Sequence, residues 1–202
     1  MESLNVSRET FPELEQFRRT IIEQNKVINL ISKDSVNVSK ERHIIDSAQI
    51  IDLIDLNGSV CTDIGSGSGL PGIVLAIIMK HKNSDMKFKL YEKSFHKSKF
   101  LIDMSKKFNL NTKVYQKNIF EEKNLNTDVI ISRAFKPLPI IFDIAEKNFK
   151  SFKYIILFLG KSGKKILNEA LKIWKFDYEE KKSLTNDESM VIKISNLRKK
   201  NG

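Results

Sequence analysis

Hydrophobic positions follow one period in the first part of the chain and another in the rest. Over residues 14–28 and 38–56, apolar side chains recur every three or four positions, which is typical of amphipathic helices. Thr10 and Glu13 stand at the spacing of a capping box and predict the start of the first helix. We therefore expect a helical extension over residues 1–57.

Short apolar runs and amphipathic segments alternate after residue 58. The predicted strands cover residues 60–64, 87–91, 112–115, 128–132, 154–159 and 190–194. The predicted helices cover residues 73–80, 94–108, 138–149 and 164–174. Such alternation predicts the doubly wound α/β class, in which helices cover both faces of a mostly parallel sheet. We expect seven strands within residues 58–197, followed by a basic tail over residues 198–202.

The charge balance points to a polyanionic partner. The chain of 202 residues carries 35 Lys and Arg against 25 Asp and Glu, which gives a net charge of +10. Such a balance favours nucleic acid or, less often, an anionic membrane surface. Hydrophobic residues make up 41% of the chain, which is enough for a packed core and unlike a disordered segment.

Cysteine and histidine usage excludes several classes of protein. A single cysteine, Cys61, cannot form an intramolecular disulfide or a Cys-rich zinc site. Three scattered histidines form no metal-binding motif, so we expect no protein-bound catalytic metal. No apolar run has the length of a signal peptide or a transmembrane span. We therefore expect a cytoplasmic protein that does not enter a membrane.

Half of the eight glycines fall directly after the first predicted strand. Close glycines between a strand and a helix leave backbone N–H groups free to bind a small ligand. Counted from Gly67, the turn matches the dinucleotide pattern GxGxxG; counted from Asp63, it has an acidic residue before Gly65, Gly67 and Gly69. The second form resembles motif I of class I S-adenosylmethionine-dependent methyltransferases. Because the predicted strand ends directly before Gly65, we favour this second register.

Further candidate contacts follow the next predicted strands. Glu92 ends the second one, where a carboxylate can accept hydrogen bonds from both ribose hydroxyls of a nucleoside cofactor. A solvated glutamate among lysines is the alternative. After the third strand, residues 116–120 would hold an adenine ring between apolar side chains. Asn118 or a backbone N–H would then contact the ring. Arg133 ends the fourth strand, where it could hold a carboxylate or a phosphate, or serve the fold alone.

The segment Ile131–Phe135 narrows the choice of methyl acceptor. It lacks the Asn/Asp-Pro-Pro-aromatic motif that enzymes methylating exocyclic amines usually carry here. Methylation of a pyrimidine at carbon 5 needs a cysteine nucleophile, and we expect Cys61 to lie in the core. A ring nitrogen such as guanine N7 already offers an in-plane lone pair, so transfer to it requires alignment and no general base.

Three segments carry a family resemblance: Arg42–Ser47, Leu70-Pro71-Gly72 and Ser132–Phe135. Together they resemble the bacterial 16S ribosomal RNA guanine-N7 methyltransferases, the RsmG or GidB family, over about residues 14 to 195. The resemblance implies a Rossmann-like class I methyltransferase fold with S-adenosylmethionine as the methyl donor. It also implies guanine 527, in the decoding-region loop of 16S ribosomal RNA, as the acceptor.

The resemblance and the motifs together define a set of candidate cofactor contacts: Asp63, Gly65, Gly67, Gly69, Leu70, Glu92, Asn118, Ile119, Phe120 and Arg133. No catalytic residue is assigned, and Arg133 is the candidate for positioning the reactants. The chain departs from the family at Leu159, before Gly160, and at Ser189, after Glu188. Both departures remove a cation that the family often carries on the expected substrate face.

Candidate RNA contacts come from three segments of the chain: Arg42, His43, Lys93, His96, Lys97 and Lys161. The alternatives are an Arg42–Asp46 pair one helical turn apart, and solvated lysines. The expected partner is 16S ribosomal RNA or the small ribosomal subunit, and we expect a monomer. Two other functions stay open: a non-catalytic ribosome-assembly factor with the same basic face, and a nicotinamide-dependent oxidoreductase.

Overall fold

A seven-stranded sheet forms the centre of the protein, for which the computed structural model describes residues 6–55 and 58–200. The strands are β1 (Val60–Ile64), β2 (Lys87–Tyr91), β3 (Thr112–Tyr115), β4 (Val129–Ser132), β5 (Tyr154–Leu159), β6 (Trp174–Lys182) and β7 (Met190–Lys199). Their order across the sheet is β3-β2-β1-β4-β5-β7-β6, and β1 to β5 run parallel. β7 is antiparallel to both β5 and β6. The predicted doubly wound α/β fold is confirmed.

Five helices cover the two faces of the sheet: α1 (Thr10–Gln24), α2 (Gly72–His81), α3 (Phe95–Lys107), α4 (Leu138–Asn148) and α5 (Gly163–Ile173). The first three share one hydrophobic core, and α4 and α5 share the other. Every residue of 73–79 is buried, because α2 is apolar on all sides and lies between α1 and the sheet. A separate two-stranded sheet pairs Leu125–Asn126 with Phe149–Ser151.

The N-terminal helix belongs to the same core as the sheet. Phe17 of α1 is fully buried, and its ring lies 6.4 Å from that of Phe100 and 6.2 Å from that of Phe108. Glu13 forms a 2.7 Å ion pair with Lys80 of α2. The predicted capping box is wrong, since Thr10 is the first helical residue and Glu13 faces α2 instead. Residues 10–24 therefore pack as part of one folded unit.

The segment over residues 38–56 is not the single helix that its periodicity predicts. A π-helical turn (Lys40–Ile45), one α-helical turn (Asp46–Ala48) and a 3₁₀ turn (Ile51–Leu53) follow one another. β-Branched residues crowd this segment and weaken its helix propensity, while its polar side chains bond to distant parts of the chain. The predicted end of the helix at residues 56 and 57 lies outside the described residues.

The strand β6 was not predicted from the sequence. Only Trp174 and Phe176 of its nine residues are buried, and charged residues dominate the remainder. An edge strand with one neighbour needs little apolar surface, so the alternating pattern is too short to recognise. β7 continues to Lys199, where it pairs with β6. Arg198 and Lys199 are therefore part of the sheet, and the prediction of a basic tail is wrong for them.

The carboxyl ends of β1, β2, β4 and β5 meet at one edge of the sheet, which is where ligands bind in folds of this class. Cys61 is buried within β1, as predicted. Across residues 6–55 and 58–200, no helix combines the length and the apolar character needed to cross a membrane.

We expect Phe17→Ala to destabilise the whole protein by about 3–5 kcal/mol, because it empties a fully buried ring site shared by α1 and α3. Urea unfolding followed by circular dichroism should show one shifted transition. Phe95→Ala removes the same side chain from a position that is 59% exposed and should change stability by less than about 1 kcal/mol. Two separate transitions would contradict a shared core.

Candidate active site

The glycine turn begins where β1 ends. Gly65 has a φ of +73°, and its N–H donates a 3.0 Å hydrogen bond to the carbonyl of Tyr91 at the end of β2. A Cβ on Gly65 would overlap the ring of Phe135, which follows β4. Only glycine allows both this backbone angle and this contact, so the chain can bring the ends of three strands together at the turn.

Glu92 holds the far side of the turn. Its Oε2 accepts a 2.9 Å hydrogen bond from the N–H of Gly67, and its Oε1 accepts a 2.8 Å bond from the N–H of Ser94. Each carboxylate oxygen has a second lone pair, so the group can accept two further hydrogen bonds. Glu92 is thus fixed in position while keeping the capacity to bind a pair of hydroxyl groups.

A cavity of about 520 Å³ opens beside the turn. The predicted cofactor contacts that line it are Gly65, Gly67, Leu70, Glu92, Asn118, Ile119, Phe120 and Arg133. Two further candidates, Asp63 and Gly69, are absent from the described residues that line it. The cavity lies within the usual size range of small-molecule sites, which is roughly 300–1,000 Å³.

A 3₁₀ turn, Ile119–Glu121, forms one wall of the cavity. The side chain of Asn148 on α4 anchors it by donating a 2.7 Å hydrogen bond to the carbonyl of Ile119. Ile119 is buried, whereas the ring of Phe120 is 42% exposed. The rings of Phe120 and Phe135 lie 6.2 Å apart, so two aromatic side chains and one aliphatic side chain border this end of the cavity.

Asp63 supports the glycine turn from behind. It is buried, its Oδ2 accepts a 3.1 Å hydrogen bond from the N–H of Gly72, and its Oδ1 has no hydrogen-bond partner among the described residues. Burial raises the pKa of Asp63 to about 7. Its contact is with the start of α2, so the prediction that it binds the cofactor directly receives no support from its position.

Arg133 connects the end of β4 to the N-terminal segment. Its side chain is only 14% exposed, and it donates to Nδ1 of His43 at 2.8 Å and to the hydroxyl of Ser47 at 3.1 Å. The carboxylate of Asp46 lies 3.5 Å away. Burial lowers the pKa of Arg133, and the charge of Asp46 opposes that shift. The predicted Arg42–Asp46 pair is thus replaced by an Arg133–Asp46 pair.

His43 is neutral in this arrangement. Burial, together with the charges of Arg133 and Arg42, lowers its pKa to about 4. Because Nδ1 accepts from Arg133, the proton is on Nε2, which donates a 2.8 Å hydrogen bond to the hydroxyl of Ser35. Both ring nitrogens are occupied and the side chain is buried, although it borders the first cavity. His43 therefore orders the segment around it, and its position gives no support to an RNA contact.

A second cavity, of about 600 Å³, lies on the other side of Arg133 and Ala134, which line both cavities. Sequence reasoning missed it, because its walls come from segments near residues 38–46, 133–134, 158–160 and 183–190. The predicted RNA contact Arg42 lines this cavity, and so do Leu159 and Ser189, the two positions that depart from the family.

Comparison with known proteins decides the family. The family model described as "GidB: rRNA small subunit methyltransferase G" matches residues 10–192. A protein named ribosomal RNA small subunit methyltransferase G, from Pelagibacter ubique, is 49% identical, and the alignment covers 100% of this chain and 95% of that protein. The chain belongs to the GidB family. The resemblance seen in its sequence motifs is confirmed.

Solved structures of more distant proteins agree with the fold of this GidB family member. A putative S-adenosyl-L-methionine-dependent methyltransferase from Methanococcus maripaludis matches with a TM-score of 0.55 at 18% identity, covering 88% of this chain and 91% of that one. TrmK from M. capricolum, in complex with S-adenosyl-homocysteine, matches with a TM-score of 0.56 at 17% identity, covering 82% and 69%. The Rossmann-like class I methyltransferase fold is therefore established.

The remaining RNA candidates of this GidB protein lie in different surroundings. Lys93 and Lys97 line the first cavity. His96 is exposed, and its ring contacts that of Phe95 edge to face at 5.5 Å. Lys161 forms a 2.7 Å ion pair with Glu188 on the surface. The structure thus brings Lys93 and Lys97 to the cavity mouth, while Lys161 already has an acidic partner.

The pKa of Asp63 makes a pH-dependent contribution to stability. Since the native carboxyl keeps a proton that the unfolded chain has lost between about pH 4 and pH 7, stability falls as the pH rises through this window. Asp63→Asn removes this effect. Between pH 4 and pH 7, the free energy of unfolding of the variant should therefore rise by up to about 4 kcal/mol relative to that of the wild type. Urea unfolding at several pH values measures the difference.

The comparison between variants removes the contribution of His43, whose lowered pKa acts in the opposite direction and is common to both proteins. Asp103→Asn, at an exposed position on α3, provides the matched control and should follow the wild-type pH profile. If the stability difference between Asp63→Asn and the wild type stays constant with pH, the buried proton is absent.

Proposed function

We propose that this GidB family member transfers the methyl group of S-adenosylmethionine to N7 of guanine 527 in the decoding-region loop of 16S ribosomal RNA. The observation that carries the proposal is the cavity at the carboxyl ends of β1, β2 and β4, with the glycine turn on one side and Glu92 on another. The curated relative from Pelagibacter ubique is itself named a ribosomal RNA small subunit methyltransferase.

The residues around the first cavity fit the chemical groups of this donor. Glu92 keeps two free acceptor positions for the ribose hydroxyls. Ile119 and Phe120 offer an apolar border for the adenine ring, with Asn118 beside them. A Cβ at Gly67 would meet only the carbonyl of Gly65, at 3.8 Å, so the backbone there leaves room for the methionine part. When bound, the donor supplies a methyl group on a positively charged sulfur.

The reaction requires no base from this chain. A new bond joins the methyl carbon to guanine N7, while the carbon–sulfur bond breaks and its electrons return to sulfur; no proton moves. His43 has both ring nitrogens in hydrogen bonds, and Asp63 lies behind the turn. These positions suit a transfer driven by alignment of donor and acceptor. Arg133 is a positioning residue in this proposal, since its guanidinium holds the wall between the two cavities.

Cations around the mouth of the first cavity support an RNA substrate. Lys93, Lys97, Lys117 and Lys136 line the cavity, and of these Lys117 pairs with Glu122 at 2.9 Å. Lysines around a substrate opening add affinity for phosphates that does not depend on sequence and that weakens with salt. We propose that these lysines hold the backbone of the RNA loop whose base is methylated.

The decisive experiment incubates the protein and labelled S-adenosylmethionine with small ribosomal subunits that lack the modification. N7-methylguanine is then mapped by borohydride reduction and aniline cleavage. A single new cleavage in the decoding-region loop is expected. Binding of subunits without any transfer of label would favour a ribosome-assembly factor, and cleavage elsewhere would refute guanine 527 as the acceptor.

We expect Glu92→Ala to weaken donor binding roughly 10- to 100-fold, because it removes a charged acceptor for the ribose hydroxyls and the hydrogen bond that orders the turn at Gly67. Isothermal titration calorimetry with S-adenosylhomocysteine measures this effect directly. Glu146→Ala removes the same side chain from an exposed site on α4 and should bind as the wild type does. Equal affinity of both variants would place the ribose elsewhere.

A further inference from the structure

The second cavity adjoins the first. Arg133 and Ala134 line both, so the two spaces meet at the carboxyl end of β4. A nucleobase must leave its stack before an enzyme can act on it, and it then needs a pocket of its own. With a volume of about 600 Å³, the second cavity is large enough to take one nucleoside.

The walls of the second cavity suit a planar base with polar edges. Phe158, Leu159 and Met190 provide apolar surface near the end of β5. A Cβ added to Gly160 would meet no atom within 4 Å, so the space above that residue is open. The lining also has a polar part, which includes Asp46 and Thr185. Apolar faces with a few fixed polar groups are the usual composition of a small-molecule site.

Asp46 is the polar group that has a fixed position and that keeps acceptor capacity on Oδ2, beside its long ion pair with Arg133. Its Oδ1 accepts hydrogen bonds from the side-chain amide of Gln49 at 2.7 Å and from the hydroxyl of Thr185 at 3.0 Å. Its Oδ2 lies 3.5 Å from Nη1 of Arg133, which is longer than a good hydrogen bond. One oxygen therefore holds the carboxylate in place, while the other can accept hydrogen bonds from a ligand.

A fixed carboxylate distinguishes guanine from the other bases. Guanine presents the N1–H and the N2 amino group side by side and parallel, so one carboxylate oxygen with two lone pairs, here Oδ2, can accept from both. Adenine and cytosine place a ring-nitrogen acceptor next to their amino group, and uracil places carbonyl acceptors beside its N–H, so each would bring a lone pair toward the carboxylate. N7 lies on a different edge of guanine, which leaves it free to face the first cavity.

We infer that the second cavity holds the acceptor guanine and that Asp46 selects it by accepting hydrogen bonds from its N1–H and N2 amino group. This inference rests on the proposed N7 methylation and adds to it the site and the residue that read the base. Arg133 and Thr185 act as positioning residues, because they border or hold the carboxylate of Asp46.

The test compares small subunits that carry guanine or inosine at the acceptor position. Inosine keeps N7 and N1–H but lacks the N2 amino group. The wild type should methylate the guanine substrate about tenfold faster or more, measured as kcat/KM, since one hydrogen bond to a charged group is lost with inosine. Asp46→Asn should reduce this ratio to within about threefold of unity, with the affinity for S-adenosylhomocysteine unchanged.

Two further variants keep the test decisive. Glu41→Gln removes an exposed carboxylate from the same cavity and should keep the preference for guanine over inosine. Thr185→Val removes one hydrogen bond to Asp46 and should lower the preference in part, which gives an answer even if Asp46→Asn fails to fold. Loss of the preference in Glu41→Gln alone would overturn the assignment to Asp46.

The outcomes separate the inference from the function on which it rests. If the wild type transfers no methyl group to the guanine substrate, the proposed function fails and the inference fails with it. If it methylates both substrates at N7 with equal efficiency, the proposed function stands and the role of Asp46 is refuted. An unchanged guanine preference in both Asp46→Asn and Thr185→Val would also refute that role.

Discussion

The largely buried guanidinium of Arg133 forms the contacts on which the arrangement of both cavities depends. A cation that is 14% exposed is stable only with partners, and Arg133 finds them in His43, Ser47 and Asp46 of the N-terminal segment. These bonds attach that segment to the end of β4. They also set the tautomer of His43 and place Asp46 at the wall of the second cavity. One buried charge thus orders the wall that separates the two cavities.

The glycine turn provides the second constraint, which acts from the opposite side of the first cavity. Gly65 brings the end of β1 against the ring of Phe135, and Glu92 closes the turn through the N–H of Gly67. The buried carboxyl of Asp63 holds the start of α2 through the N–H of Gly72. These contacts shape the cavity before a ligand binds. Such preorganisation lowers the conformational entropy that is lost when binding orders the site.

The sequence predicts an element well where the local pattern of hydrophobic and polar residues matches the burial of those residues in the fold. The parallel strands β1, β2, β3 and β5 have the bounds that the sequence predicts, because each is a short apolar or alternating run. The glycine turn was predictable for a similar reason, since close glycines after a strand have few other uses. The edge strand β6 escaped prediction because most of its residues face solvent.

Contacts between distant segments were the features that sequence reasoning could not supply. Nothing in the local pattern shows that Arg133 bonds to His43, 90 positions earlier in the chain, or that Thr185 bonds to Asp46. The motif Arg42–Ser47 was recognisable, but its role needed the structure. For Asp63, the motif predicts ligand contact, and in the structure its side chain supports the backbone at Gly72.

A crystal structure of the protein with S-adenosylhomocysteine tests the central claim most directly, because it locates the donor relative to both cavities. The account predicts the ribose hydroxyls within hydrogen-bond distance of Glu92 and the adenine beside Ile119 and Phe120. It also predicts the sulfur at the end of the first cavity that Arg133 and Ala134 border, facing the second. Ligand density in the second cavity, or a ribose far from Glu92, would contradict the account.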